Sequence, residues 1–288
     1  MIVASSPAEL DAAERAVAIG TFDGVHRGHR AVIDAMTATG LRSTVLTFEP
    51  HPRLVLGYDV QLLATFDRRL ELLEEAGPDE ALVVEFTQAL SRLEPEDFVA
   101  RYLSAIGAQV VVAGEDFRFG RGRSGDVSLL RSLGLDVRPV PLLAGVSSSR
   151  IRELVREGDL PGAAALLGRP FELEGEVVYG DQRGGTLGFP TANLSPDPHV
   201  LVPAYGIYAG TTLGHRVAVS IGVNPHYGGS ERRIEAFLLD FEGDLYGTRL
   251  RLELWERLRE ERAFASEDEL LAQIAADVEA ARKAERPA

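Results

Sequence analysis

The chain has 288 residues, 45% hydrophobic and 26% charged, with a formal net charge of −14 and no cysteine. This length allows two domains with cores of their own, the lack of cysteine excludes disulfides, thiolate metal sites and cysteine nucleophiles, and the acidic balance argues against a nucleic-acid partner, since a phosphate backbone needs a basic face. No apolar run is long enough to cross a membrane and no basic segment precedes an apolar stretch at the start, so no membrane partner is expected and the cytoplasm is the default compartment.

In chain order, strands are expected at 17–19, 44–48, 81–86, 110–113 and 137–140, and helices at about 28–38, 66–76, 95–106, 126–133 and 149–157. Strands alternating with helices imply βαβ units and a parallel sheet, whose ligands bind beyond the carboxyl ends of the strands. After Leu167-Gly168-Arg169-Pro170 the pattern changes. Extended runs near 171–179, 206–213, 216–223, 234–241 and 249–255 follow with only Gly and Pro between them, which suggests an antiparallel barrel or sandwich. A closing helix is marked by the capping-box spacing of Ser266 and Glu269, and its Leu270, Leu271, Ile274 and Val278 form a stripe expected to pack on that barrel. The expected division is 1–168 and 169–288.

The run Ile19-Gly20-Thr21-Phe22-Asp23-Gly24-Val25-His26-Arg27-Gly28-His29 joins the first strand to the first helix. His26 and His29 are spaced to share one helix face. A helix start offers unpaired N–H groups and partial positive charge, which suit a phosphate. Gly20, Gly24 and Gly28 let the backbone approach a ligand, so the segment reads as a nucleotide triphosphate clamp. A single lysine, Lys283, rules out a phosphate loop of the Gly-Lys-Ser/Thr type; arginines, helix starts or a metal ion must balance the phosphates. Ser147, Ser148 and Ser149 open the helix near 149–157, as N-caps or as further donors, with Arg152 rather than Arg150 expected to reach a phosphate. Gly114–Gly125 is a loop rich in Gly and Arg that carries Asp116, Arg118 and Phe119, and either faces a ligand or is simply solvated. His51, between Pro50 and Pro52, is either a surface residue or a further polar group over the nucleotide.

In the second half, Gly180–Leu194 is the densest motif. Thr191 and Asn193 alternate in an extended segment and face one side; as hard oxygen donors they suit Mg²⁺ brought by ATP, or else they belong to a polar turn. Period-two alternation puts Glu235 on one face with Phe237 and Leu239. A carboxylate there is either exposed at a strand end or a general base for an attacking alcohol.

The segments Gly20–His29, Phe48–Pro52, 114–120 (Gly-Glu-Asp-Phe-Arg-Phe-Gly) and 147–152 (Ser-Ser-Ser-Arg-Ile-Arg), taken in order, resemble the N-terminal half of the prokaryotic bifunctional riboflavin kinase/FAD synthetase family. The segments 167–170, 180–184, 187–194, 222–225, 234–241 and 243–247 resemble its flavokinase half. The resemblance implies a Rossmann-like nucleotidyltransferase domain of α/β class, then a small antiparallel β-barrel with a C-terminal helix. It implies phosphorylation of riboflavin to FMN and adenylylation of FMN to FAD, with ATP and Mg²⁺ at both steps. On this basis His26, His29 and Arg152 act in adenylyl transfer. Gly20, Phe22, Asp23, Gly24, His51, Asp116 and Ser147–Ser149 would meet nucleotide in the first half, and Gly188, Pro190, Thr191 and Asn193 in the second. Arg118, Phe119, Asp181, Arg183 and Asn224 would meet flavin, Thr191 and Asn193 would hold the metal, and Glu235 would activate the ribityl 5′-hydroxyl. His226-Tyr227 departs from the family pattern of a small residue followed by Phe. Rival readings are a nucleotidyltransferase with a degenerate second domain and a flavin-binding carrier without turnover; oligomeric state stays open, weak self-association included.

Overall fold

Six parallel strands, β1 (Ile2–Ala4), β2 (Arg15–Ile19), β3 (Arg42–Glu49), β4 (Glu80–Glu85), β5 (Ala108–Gly114) and β6 (Asp136–Val140), form a sheet in the order β1-β4-β3-β2-β5-β6. The structure is a computed structural model and describes residues 1–180, 189, 191–223 and 232–287. Strand β2 is buried at every position and has β3 on one side and β5 on the other. The chain therefore leaves β2 in one direction and later returns to its opposite side. Its carboxyl end is the topological switch point, where an open α/β sheet forms its ligand crevice. The short edge strand β1 was missed by periodicity, since three residues, two of them exposed, carry no alternation to read.

Helix α1 (Arg27–Thr37) follows β2 and buries Ile33 and Met36. Strand β3 leads to the single turn α2 (Pro52–Val55), then α3 (Phe66–Glu74). The expected helix near 95–106 is α4 (Pro95–Phe98) continued by a wider π turn (Val99–Ser104). Phe98, Tyr102, Leu103 and Ile106 cover Ile19, Leu46, Leu82 and Val111 from the sheet. Helix α5 (Val127–Ser132) is capped by Asp126, which accepts from the N–H groups of Ser128 and Leu129. One polar cluster is sealed at the opposite, amino end of the strands. Arg15, fully buried, donates to both Glu80 oxygens at 2.8 and 3.1 Å and to the Ile106 carbonyl at 2.7 Å.

Two compact units result: Met1–Val60 with Phe66–Ser147, and Gln61–Thr65 with Ser148–Ala288. Helix α6 (Ser148–Glu157) and helix α7 (Leu160–Leu167) pack in the second unit, through Ile151, Leu154, Leu160, Ala163 and Leu167. Helix α7 was not expected from sequence. Its Pro161 and Gly162 read as a break, yet both stand in its first turn, where Asp159 caps the Gly162 N–H and proline removes no bond. Packing thus places residues 148–168 with the barrel that follows, whereas the change in sequence pattern falls at their end.

The barrel closes in the order β10-β11-β8-β7-β12-β9, from β7 (Phe171–Val178), β8 (Ala192–Pro196), β9 (Gly206–Thr212), β10 (His215–Val223), β11 (Arg232–Leu238) and β12 (Arg249–Arg259). Strand β8, left unassigned in the sequence reading, is short and follows a Gly-rich stretch. Inward positions alternate: Val217, Val219 and Ile221 on β10, Ile234, Ala236 and Leu238 on β11, and Ala192 and Leu194 on β8 share one core with Leu173, Leu252 and Leu254. A six-stranded barrel is filled by such side chains, which leaves its outer face for ligands. The terminal helix α8 (Glu267–Lys283) lies on that outer face. Its cap is as expected at Ser266, whose Oγ accepts from the Glu269 N–H, while the Glu269 carboxylate reaches the N–H of Ala265. Of the expected stripe, Val278 packs against the barrel-side cluster, but the docking contact extends beyond it. Leu270, Leu271, Ile274 and Val278 are half-buried, and the fully buried helix residues are Asp277 and Ala281. Small residues let α8 sit close to Ala209, Ala218 and Trp255.

Candidate functional site

The first candidate site is the β2–α1 turn. Gly20 donates to the Leu46 carbonyl at 3.1 Å, and Val25 to Phe22 at 3.0 Å. Phe22 and Val25 hold positive φ angles of 50° and 38°. Such a backbone is strained by about 1–3 kcal/mol per residue and persists only where neighbours hold it. Phe22, Asp23 and Val25 are all buried. His26 is the N-cap of α1, and its Nδ1 accepts from the His29 N–H at 3.3 Å. A neutral His26 ring therefore carries its proton on Nε2. The His26 and His29 rings are stacked with centroids 3.6 Å apart, and Phe22 meets His29 edge-on at 5.2 Å. A Cβ at Gly28 would stand 3.1 Å from the His26 ring, so the motif's third glycine leaves room for that stack. His29 Nδ1 is buried with no hydrogen-bond partner. Burial, and then the neighbouring His26, push His29 well below the usual histidine range. An unpartnered buried imidazole nitrogen beside a helix start is a polar group prepared for a ligand.

The other expected residues of this half fall as follows. His51 is buried and caps α2, its Nδ1 accepting from Arg53 at 3.2 Å. Asp116 is exposed beside Gly114. Arg118 pairs with Asp126, and Phe119 is buried against Phe98 and stacked on Phe117. Ser147 is exposed at the end of the first unit; Ser148 and Ser149 begin α6 in the second. Arg150 pairs with Glu153. Arg152 is buried in the second unit, with Nε donating to the Gln61 carbonyl at 2.6 Å. That carbonyl belongs to the strap Gln61–Thr65, which packs with the second unit.

The second candidate site is on the outer face of the barrel. Glu235 on β11 stands directly opposite Asn193 on β8 and Ser220 on β10. Directly opposed residues share a face, with Cβ atoms about 4.5–5.5 Å apart. Their strand neighbours Ala192, Ala236, Val219 and Ile221 point into the core, so the Asn193–Glu235–Ser220 row points out. Thr191 immediately precedes β8 and is half-buried. Phe189 meets Phe237, two residues after Glu235, edge-on at 5.3 Å. A Cβ at Gly180 would collide with the Asn193 carboxamide, so that glycine makes room for the amide. The oxygen donors of Thr191 and Asn193, with a carboxylate next to them, suit a hard cation that arrives with phosphates and water. No cluster of three or more His, Cys, Asp or Glu able to hold a metal alone occurs among the described residues. Asp181, Arg183, Gly188, Pro190 and Asn224, and the departing His226-Tyr227, lie outside the described residues.

Two family models match: FAD synthetase over residues 9–146 and riboflavin kinase over residues 167–285. A bifunctional riboflavin kinase/FMN adenylyltransferase of Escherichia coli (strain K12) is 36% identical over 285 residues, covering 92% of this chain and 91% of its own. The chain belongs to the bifunctional riboflavin kinase/FMN adenylyltransferase family. The Bacillus subtilis (strain 168) member is 34% identical over 289 residues, covering 92% and 90%. A solved structure titled macrolide-efflux protein from Streptococcus pneumoniae superposes with a TM-score of 0.90 at 29% identity over 99% of both chains. Among the described residues of this family member, no helix is long and apolar enough to cross a membrane.

Arg69 was missed from sequence. It is 2% exposed and donates to the carbonyls of Thr21 and Phe48 at the carboxyl end of the sheet. Its position three and four residues before Leu72 and Leu73, on the apolar face of α3, was the available signal. Ser220 was also unassigned; only its pairing with Glu235 across the barrel reveals it.

Proposed function

We propose that this chain makes FMN from riboflavin in its second unit and FAD from FMN in its first, with ATP as donor at both steps. The observation that carries the reading is the outer-face row in which Glu235 directly opposes Asn193, in a unit matched by the riboflavin kinase family. Glu235 accepts the proton of the ribityl 5′-hydroxyl as that oxygen attacks the γ-phosphorus of ATP, and the bond to the bridging oxygen breaks to release ADP. Thr191 and Asn193 hold a divalent cation, which we take to be Mg²⁺, at the phosphates; when bound, this ion offsets phosphate charge.

In the first unit, the FMN phosphate attacks the α-phosphorus of ATP and pyrophosphate leaves. No covalent enzyme intermediate is needed, only alignment and stabilisation of charge. The α1 start and the stacked His26 and His29 supply donors for that charge, on a turn held by Gly20, Phe22, Asp23 and Gly24. His51, Asp116 and Ser147 are further candidates for nucleotide, and Arg118 and Phe119 for flavin. We place the protein in the cytoplasm, without a nucleic-acid partner.

Product chromatography after separate incubations with riboflavin and with FMN, each with ATP and Mg²⁺, tests the assignment. The wild type yields FMN and FAD. Glu235→Gln lowers riboflavin phosphorylation by about 10²–10⁴-fold and leaves FMN adenylylation intact. His29→Ala does the reverse. Either substitution silencing both reactions in a folded protein would refute the two-site assignment.

A further inference from the structure

The carboxyl end of the first sheet contains a buried charge for which the reaction scheme above has no use. Arg69 donates through one terminal nitrogen to the Thr21 carbonyl at 3.2 Å, and through the other to the Phe48 carbonyl at 2.9 Å and Glu49 Oε2 at 2.6 Å. Its guanidinium lies 5.1 Å from the centre of the Phe66 ring, and its Nε is buried with no hydrogen-bond partner. Thr21 and Phe48 lie at the ends of neighbouring strands, where the parallel ladder between β2 and β3 has stopped at Ile19 and Leu46. Beyond that point the turn begins that carries Phe22 and Val25 at positive φ, and Phe22 is the ring against which His29 stands. Thr47 Oγ1 also donates to the Thr21 carbonyl, at 3.3 Å, so this peptide is held from two sides.

The charges point the same way. Asp23, 2% exposed, and Glu49 both act on Arg69 electrostatically. Burial draws the guanidinium below its usual range, and these carboxylates oppose that effect. Two carboxylates next to an incoming polyphosphate would repel it unless offset; a cation among them removes one unit of that repulsion.

We propose that Arg69 is a positioning residue for adenylyl transfer: its fork clamps the Thr21 and Phe48 carbonyls and so holds the turn that sets His29 and His26, while its charge offsets Asp23 and Glu49 at the polyphosphate end. The proposal rests on assigning FMN adenylylation to the first unit. Fork and charge separate by substitution. Arg69→Lys keeps the charge without the planar fork; Arg69→Met loses both.

Steady-state FMN adenylylation by both variants is the test, with riboflavin phosphorylation by the same chain as internal control and thermal melting as a check on folding. In Arg69→Met, kcat falls about ten- to hundred-fold, as expected for a misplaced reacting group, and the KM for ATP rises. In Arg69→Lys the KM for ATP returns towards the wild-type value while kcat stays low. Riboflavin phosphorylation is unchanged in both. A wild-type kcat in folded Arg69→Lys and Arg69→Met would overturn the proposal. So would loss of the first unit's melting transition in both variants, since Arg69 would then serve folding alone. A wild-type chain that forms no FAD from FMN and ATP would refute instead the assignment of the first unit, whatever Arg69 does.

Discussion

At the scale of single residues, both sites depend on close approaches that a methyl group would spoil. Gly180→Ala pushes a Cβ into the Asn193 carboxamide, which stands opposite Glu235. Riboflavin phosphorylation is expected to fall by about 10²-fold, as for a ligand group misplaced by an ångström, with FMN adenylylation retained. A rate assay on each reaction checks this, and unchanged phosphorylation would separate Asn193 from the chemistry. His29 gives a prediction in pH. Burial and His26 lower its pKa well below the ordinary histidine value, about 6.5, which the unfolded chain keeps. Below pH 6.5 the unfolded ring takes up a proton that the folded ring refuses. Stability from this residue is therefore full above about pH 6.5 and declines as pH falls towards the folded value, by at most about 1.4 kcal/mol per pH unit. Denaturant midpoints for wild type and His29→Phe between pH 7.5 and 5.5 check it; the wild type should lose more stability than the variant.

At the scale of elements, α8 shows how a helix with a weak apolar face can dock. Asp277, buried, takes three hydrogen bonds from the Arg259 guanidinium at 2.9, 3.1 and 2.7 Å and one from Gln273 at 2.9 Å. Arg216 stands 4.2 Å over the Trp255 ring and donates to the Ala284 carbonyl at the helix end. Asp277→Ala leaves Arg259 without its partner under the helix. The cost is about 2–3 kcal/mol, below that of a fully buried pair because Arg259 keeps some exposure. Thermal melting followed by circular dichroism should show a lower transition for the barrel unit, with first-unit activity unaffected at low temperature. In the first unit, Arg15 and Glu80 form the corresponding buried pair at the amino end of the strands, opposite the end where Arg69 stands.

At the scale of the whole molecule, the units are not contiguous in sequence. Gln61–Thr65 lies between α2 and α3 of the first unit, yet packs on the second. Leu62 exchanges backbone bonds with His199 and Leu201, Leu63 is 3% exposed in the barrel core, and Thr65 donates to the buried Glu174 at 2.7 Å. A fragment starting at Ser148 would lack this strap. Its Leu63 site would be vacated, costing about 2–5 kcal/mol as for a buried leucine truncated in a core. The fragment is expected to melt below the same unit in the intact chain, and to regain stability when a peptide of residues 58–67 is added. Equal melting temperatures would show that the strap contributes nothing to the barrel.

Much of this protein is determined by local pattern alone. Apolar runs alternating with helical stretches specify a parallel sheet, and the Gly20–His29 run falls at a strand end because a glycine-rich turn followed by a helix start can hardly be anything else. Period-two alternation puts Glu235 on a face with Phe237. Such signals survive in one dimension because each is a spacing within a single element. Tertiary structure decided what depends on two elements meeting. Opposing strands placed Asn193 against Glu235, the strap drew Arg152 to Gln61, and packing of α3 put Arg69 on the carbonyls of Thr21 and Phe48. No spacing in the chain encodes these partners, since a polar side chain takes whichever acceptor burial brings within reach.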